Sequence, residues 1–207
     1  MRVAPPIPPC NHVAIKRPSG TKVSGSFVID PELEIPTELL APVEEGEERK
    51  HLIIDVPNSQ VDVDVWVVPH PLFHSDTKSH TTNLEVHGSH VAMRLHSTGD
   101  RPISLTVKAG HSGQVSLEIP STFRGPMTIH NGNGNVKFSS ALDPLVATFS
   151  DVDKVRKCFI GDFKQLGFGQ GAWEGSALEI HSLHGSVKLR FADEYEPTVQ
   201  SKSWWSL

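Results

Sequence analysis

Long apolar runs are missing from this chain, and so is a convincing amphipathic helix. No stretch approaches the ~20 residues that a membrane helix requires, so no membrane span is expected. The opening "MRVAPPIPP" has a basic second residue, but prolines interrupt it and no apolar leader core follows. A cytoplasmic or otherwise intracellular protein is the expectation.

Cysteine is scarce. Only Cys10 and Cys158 occur in 207 residues, too few for the disulfide framework of a small secreted domain. They allow one bridge at most. Cys10 lies in the Pro-rich "APPIPPCNH" and is expected to be mobile, whereas Cys158 alternates with apolar residues in "RKCFIGDF" and reads as a small core residue.

Positive charge is thin as well. Nineteen Lys and Arg stand against 24 Asp and Glu, a net charge of -5, and the densest basic group is Lys154, Arg156 and Lys157. That removes the basic footprint on which nucleic-acid binding depends. Reaction motifs are missing too. "HNGNGNVKF" lacks a GK[ST] ending and a following helix, so it is a turn and not a phosphate loop. No GxSxG elbow occurs. Asp62 and Asp64 share a strand face about 7 Å apart and read as solubilising residues, and Asp193 and Glu194 read as a polar terminus. No catalytic residue and no cofactor is assigned.

What the chain has is turns and alternation. Sixteen Gly and sixteen Pro point to many turns and few long helices. Residues 1–19 form a Pro-rich lead-in, expected to run over the surface. Residues 20–195 read as a single β-rich domain interrupted by an acidic loop at 31–50, and 196–207 as a tail. "GTKVSGSFVIDP" is a first strand or hairpin. In "HLIIDVPNSQVDVDVWVV" the valines Val61, Val63, Val65 and Val67 alternate with Asp62, Asp64 and Trp66, the period-two signature of a half-buried strand with its valines inward.

Further units follow at Leu84–Leu95, Ile103–Ile119, Met127–Phe138 and Leu178–Phe191, each two short arms around a Gly- or Asn-rich turn. Aligning the last apolar residue of each first arm gives Val86, Val107, Ile129 and Ile180. The last step leaves room for a degenerate unit around "LVATFSDVDKVRKCFIGDF". A hairpin cannot bury its apolar face alone, so an all-β fold is expected: stacked short hairpins, arranged as a β-solenoid-like stack or as a compact two-sheet sandwich.

Alternation places His87, His130 and His181 on the outward face at the strand ends. The corresponding residue of the intermediate unit is Lys108, and an ammonium in a ladder His87, Lys108, His130 argues against a metal there. The loop "PHPLFHSDTKSH" is the preferred metal candidate, through His70, His74 and His80, although its spacing matches no zinc pattern. "GDFKQLGFGQGAWEG" is the preferred ligand site, because Phe163, Phe168 and Trp173 between glycines offer stacking surfaces and Asp162 and Glu174 offer hydroxyl acceptors. The adjacent Trp204 and Trp205 dock on their own domain or make a homo-oligomer contact.

"FIGDF" together with "WEGSALEIHSLHGSVKLRFADE" (Trp173–Glu194) resembles fungal proteins that carry an uncharacterised β-rich domain of the DUF7330 type. The turn-strand units are distantly similar to adhesin-type domains of the DUF4097 kind. The resemblance covers roughly His51 to Tyr195 and implies stacked short strands with no established catalytic set. Ser176 stands where that pattern leads one to expect an acid after Glu174. Taken together, the chain reads as a non-catalytic binding or assembly module, carbohydrate-binding (lectin-like) or adhesin-like, with a glycan or a protein as ligand. The alternative is a metal-assisted enzyme using clustered histidines and carboxylates.

Overall fold

The structure, a computed structural model, describes residues 5–18, 20, 22–43, 46, 48–69, 81–97, 99–132 and 135–194. Among these residues the fold is all-β: twelve strands, with only single turns of 3-10 helix at Thr37–Leu39 and Asp143–Leu145. No helix among them is long and apolar enough to cross a membrane.

Two long strands define the plan, β3 (Leu52–Val67) and β4 (Thr82–Ser97). Each bends midway. In β4 the inward set runs Leu84, Val86, Gly88 on even numbers, then Val91, Met93, Leu95 on odd numbers. One extra residue at the corner resets the parity, so both arms present apolar side chains to one shared interior. The coil before them comprises β1 (Val13–Lys16) and β2 (Val23–Ile29). Later coils split at the corner: β5 (Ile103–Ala109) with β6 (Val115–Ile119), β7 (Gly125–His130) with β8 (Val136–Phe138), and β11 (Ala177–His181) with β12 (Val187–Phe191).

Coils pair with their neighbours in parallel, first arm on first arm and second on second. The inward residues form continuous columns, such as Ile15, Ile54, Val86, Val107, Ile180 and Ile129. The last five are completely buried, and each such side chain stabilises the fold by about 1.5–3 kcal/mol. At the corners the coils stack so closely that only hydrogen fits. A Cβ on Gly185 would sit 1.7 Å from the Gly113 carbonyl oxygen, and one on Gly113 would sit 1.9 Å from that of Ser89.

Spatial order departs from chain order. The last coil, β11 and β12, lies between β5/β6 and β7/β8. The connection 139–176 first builds β9 (Val146–Val152) and β10 (Val155–Ile160), a pair that closes the end of the stack with β10 antiparallel to β7 and β9 outside it, and then returns.

Three expectations need correction. The repeated units are not hairpins: β5 pairs with β4 and β11, and β6 with β4 and β12, never with each other. A two-strand pattern around a turn reads alike whether the chain doubles back or turns a corner. The hairpin among the described residues is β9/β10, in the segment expected to hold a degenerate unit. Its turn at Asp153 and Lys154 has φ of 51° and 67°, the left-handed pair a tight hairpin turn demands. The lead-in is not wholly superficial, because Val13–Lys16 is a sheet strand. Cys10 is likewise held: its amide donates to the Val28 carbonyl, and it bridges Ile29.

Candidate functional site

Parallel stacking lines the outward side chains into ladders. On the second arms Asp64, Arg94, Glu118 and Arg190 occupy one column. Arg94 donates to both Asp64 oxygens at 3.0 and 3.1 Å, its Nε lies 3.5 Å from Glu118, and Arg190 closes on Glu118 from the other side. The bond to Asp64 raises the Arg94 pKa. Trp66 stacks on His96 of the next coil, centroids 3.9 Å apart. On the first arms Glu85 accepts from Lys50 and, at 2.6 Å, from Lys108. Burial alone would raise its pKa, but the two ammoniums bring it below the ordinary carboxylate value.

The repeated histidines separate into two settings. His87 Nδ1 lies 2.9 Å from Asp55 on the preceding coil. His181 and His130 are cross-strand neighbours, because β11 intervenes between Lys108 and His130. Their rings are parallel within 2°, with centroids 4.2 Å apart. Both Nε2 atoms approach one oxygen, Glu179 Oε1, at 3.0 Å from His181 and 3.3 Å from His130. Burial and the neighbouring His130 lower the His181 pKa, against the pull of Glu179. His70, His74 and His80, the expected metal group, lie outside the described residues, as do Trp204 and Trp205.

The Gly-aromatic segment is built around a buried anchor. Phe159, 1% exposed, meets Phe163, Phe168 and Trp173 with centroids 6.3, 5.0 and 5.7 Å away. Phe163 also packs edge-on against Phe149. Asp162 accepts from the amides of Lys164 and Gln165, so its carboxylate organises the local turn. Glu174 is exposed on the loop. The Trp173 indole donates to the Ser176 carbonyl at 2.9 Å, and the ring lies so close to Gly175 that a Cβ there would meet it at 2.3 Å. Ser176 Oγ accepts the Ile103 amide.

Trp173 and Leu166 form one wall of a concavity of about 210 Å³ on the side where each coil connects to the next. Arg101, Thr122, Arg124, Asp100 and Ser176 also line it. Of the five expected ligand residues Trp173 lines this space; Asp162, Phe163, Phe168 and Glu174 do not. The Arg101 side chain is 1% exposed; its Nη2 donates to Glu32 at 2.7 Å, and its buried Nε has no hydrogen-bond partner. Arg124 spends Nη1 on the carbonyls of Ser121 and Phe123, both at 2.7 Å. The arginines escape a reading keyed to aromatics. The signal that marks them is their repetition ahead of a first arm, in "DRPIS" and "FRGPM".

Among the described residues no histidine or cysteine lines the concavity. Both cysteines are free thiols, and burial raises the pKa of each, which suppresses the reactive thiolate. Nothing among curated proteins or solved structures matches this chain. The model of one family, described as "Domain of unknown function (DUF7330)", matches residues 11–194, and the chain belongs to that family.

Proposed function

We propose that this chain is a non-catalytic binding module, lectin- or adhesin-like, whose carbohydrate ligand sits in the concavity between Trp173 and the two arginines. One observation supports this most: a half-exposed indole and two arginine side chains line the same small space. An indole accepts the C–H face of a sugar ring. Arginine donates to hydroxyls and, in bidentate fashion, to carboxylates. Arg101 is already paired with Glu32, so Arg124 is the guanidinium that favours an acidic sugar over a neutral one.

Size agrees. Drug-sized ligands occupy about 300–1,000 Å³, so a space of about 210 Å³ suits a single ring at a chain end. Connections that cluster on one side of a repeat stack are also where such folds carry recognition. The enzymatic alternative has less support, because among the described residues the lining offers no histidine or thiol to pair with Asp100.

The test is a glycan array probed with the folded chain and with Thr122→Trp. Thr122 is exposed and lines the concavity, so the bulky residue blocks the space without disturbing the core. The expected result is binding to uronic- or sialic-type termini that Thr122→Trp abolishes. A folded sample that binds no glycan, or binding indifferent to the block, removes the proposal.

A further inference from the structure

On the first-arm face, at the end of β11 away from the concavity, we propose a divalent transition-metal site formed by His130, Glu179 and His181, with zinc as its preferred ion. Ser176 lines the concavity and His181 lies five residues further along the strand, about 16 Å at strand rise. The two sites are separate, and this inference does not rest on carbohydrate binding.

Two imidazole nitrogens and one carboxylate oxygen suit zinc and its neighbours and leave positions open for water. His130 and His181 are half-buried, Glu179 is exposed beside them, and the three ligating atoms lie within 4.8 Å of one another. Bonds of about 2.0–2.1 Å in a tetrahedral arrangement put ligand atoms about 3.3 Å apart. Two of the three edges already have that spacing, the Nε2–Oε1 distances of 3.0 and 3.3 Å. The remaining edge, between the two Nε2 atoms, closes when the stacked rings splay so that their in-plane lone pairs converge. Glu179 holds both rings toward the point an ion would occupy.

Electrostatics permit it. Lys108 is the next residue in the column beside His181, and its ammonium repels a cation in isolation. Here its Nζ is bound to Glu85 at 2.6 Å, which draws it toward β4, away from His181, and offsets part of its charge. On the far flank β10 sets Val155 opposite His130 and the exposed Lys157 opposite Thr128, so no ammonium stands directly against either imidazole there. The ladder has divided its charges so that one carboxylate is left to two imidazoles.

Zinc titration of the full chain by calorimetry at pH 7.5, with cobalt absorption as a second readout, decides the matter. Two further proteins are needed: His130→Gln/His181→Gln, and His70→Gln/His74→Gln/His80→Gln, which removes the competing loop. The expectation is a cobalt spectrum with nitrogen-ligand bands and a zinc affinity retained in the loop variant. In the strand variant it weakens by more than about tenfold, beyond the lower end of what outer-shell changes alone produce. Far-UV circular dichroism confirms that both variants fold. Zinc binding that survives in the strand variant and vanishes in the loop variant overturns the proposal, as does the absence of zinc binding by the unaltered chain.

Discussion

The stacked coils and the connection side of this molecule handle polar groups in opposite ways. Along the stack, alternation sends every second residue outward and parallel register lines those residues up, so that in the best-formed columns opposite charges meet across coils. Asp64, Arg94, Glu118 and Arg190 are the clearest case. On the connection side the register ends. There a buried guanidinium keeps an unpartnered Nε, and an indole and an exposed leucine border an open space. Stability is concentrated where the chain is periodic, and recognition is available where it is not.

The sharpest way to break this contrast is at glycine. Gly185→Ala drives a methyl into the Gly113 carbonyl, and the stack has no room to yield. Denaturant unfolding should show a loss of about 4 kcal/mol or more. Gly171, on the aromatic connection, has nothing within 4 Å of a built Cβ, and Gly171→Ala should stay within about 0.5 kcal/mol. Equal losses at the two positions would erase the distinction between regions.

Acid should find the stack next. The folded pKa of Glu85 lies below its ordinary value, so the unfolded chain binds more protons in that range. The stabilisation is complete above about pH 4.3 and is lost as pH falls through the folded pKa. Its size is under about 1 kcal/mol, because Lys50 and Lys108 are 38% and 42% exposed and solvent screens them. Melting curves should therefore steepen their decline below that pH, and Glu85→Gln should flatten it. An unchanged acid limb in the variant would show that the ladder contributes nothing there. Smallest of all is the thermal effect of Thr122→Trp, expected within about 0.5 kcal/mol even though it fills the concavity.

Much of the stack was legible in the sequence. The inward column through Val86, Val107, Ile129 and Ile180 follows from alternation, and the structure keeps those four in register. Two things escaped for physical reasons. Coils with one apolar pattern are interchangeable, so nothing in the pattern says that β11 slots between β5 and β7. As a result the ladder was read as running from Lys108 to His130, and the adjacency of His181 and His130 went unseen. The corner, too, hides in a single step of parity. The concavity was half visible: Trp173 announces itself among glycines, whereas Arg101 and Arg124 come from connections far apart in sequence and meet only through the fold.

Both proposed sites hang on β11, one at each end, so its neighbours are the decisive observation. Amide-to-α-proton contacts measured by NMR on the labelled chain report them directly. The account predicts cross-strand contacts from the Leu178–His181 segment to Leu105–Lys108 on one side and to Met127–His130 on the other, with none joining Val107 to Ile129. Direct contacts between Val107 and Ile129, with Ile180 off the sheet, would contradict it.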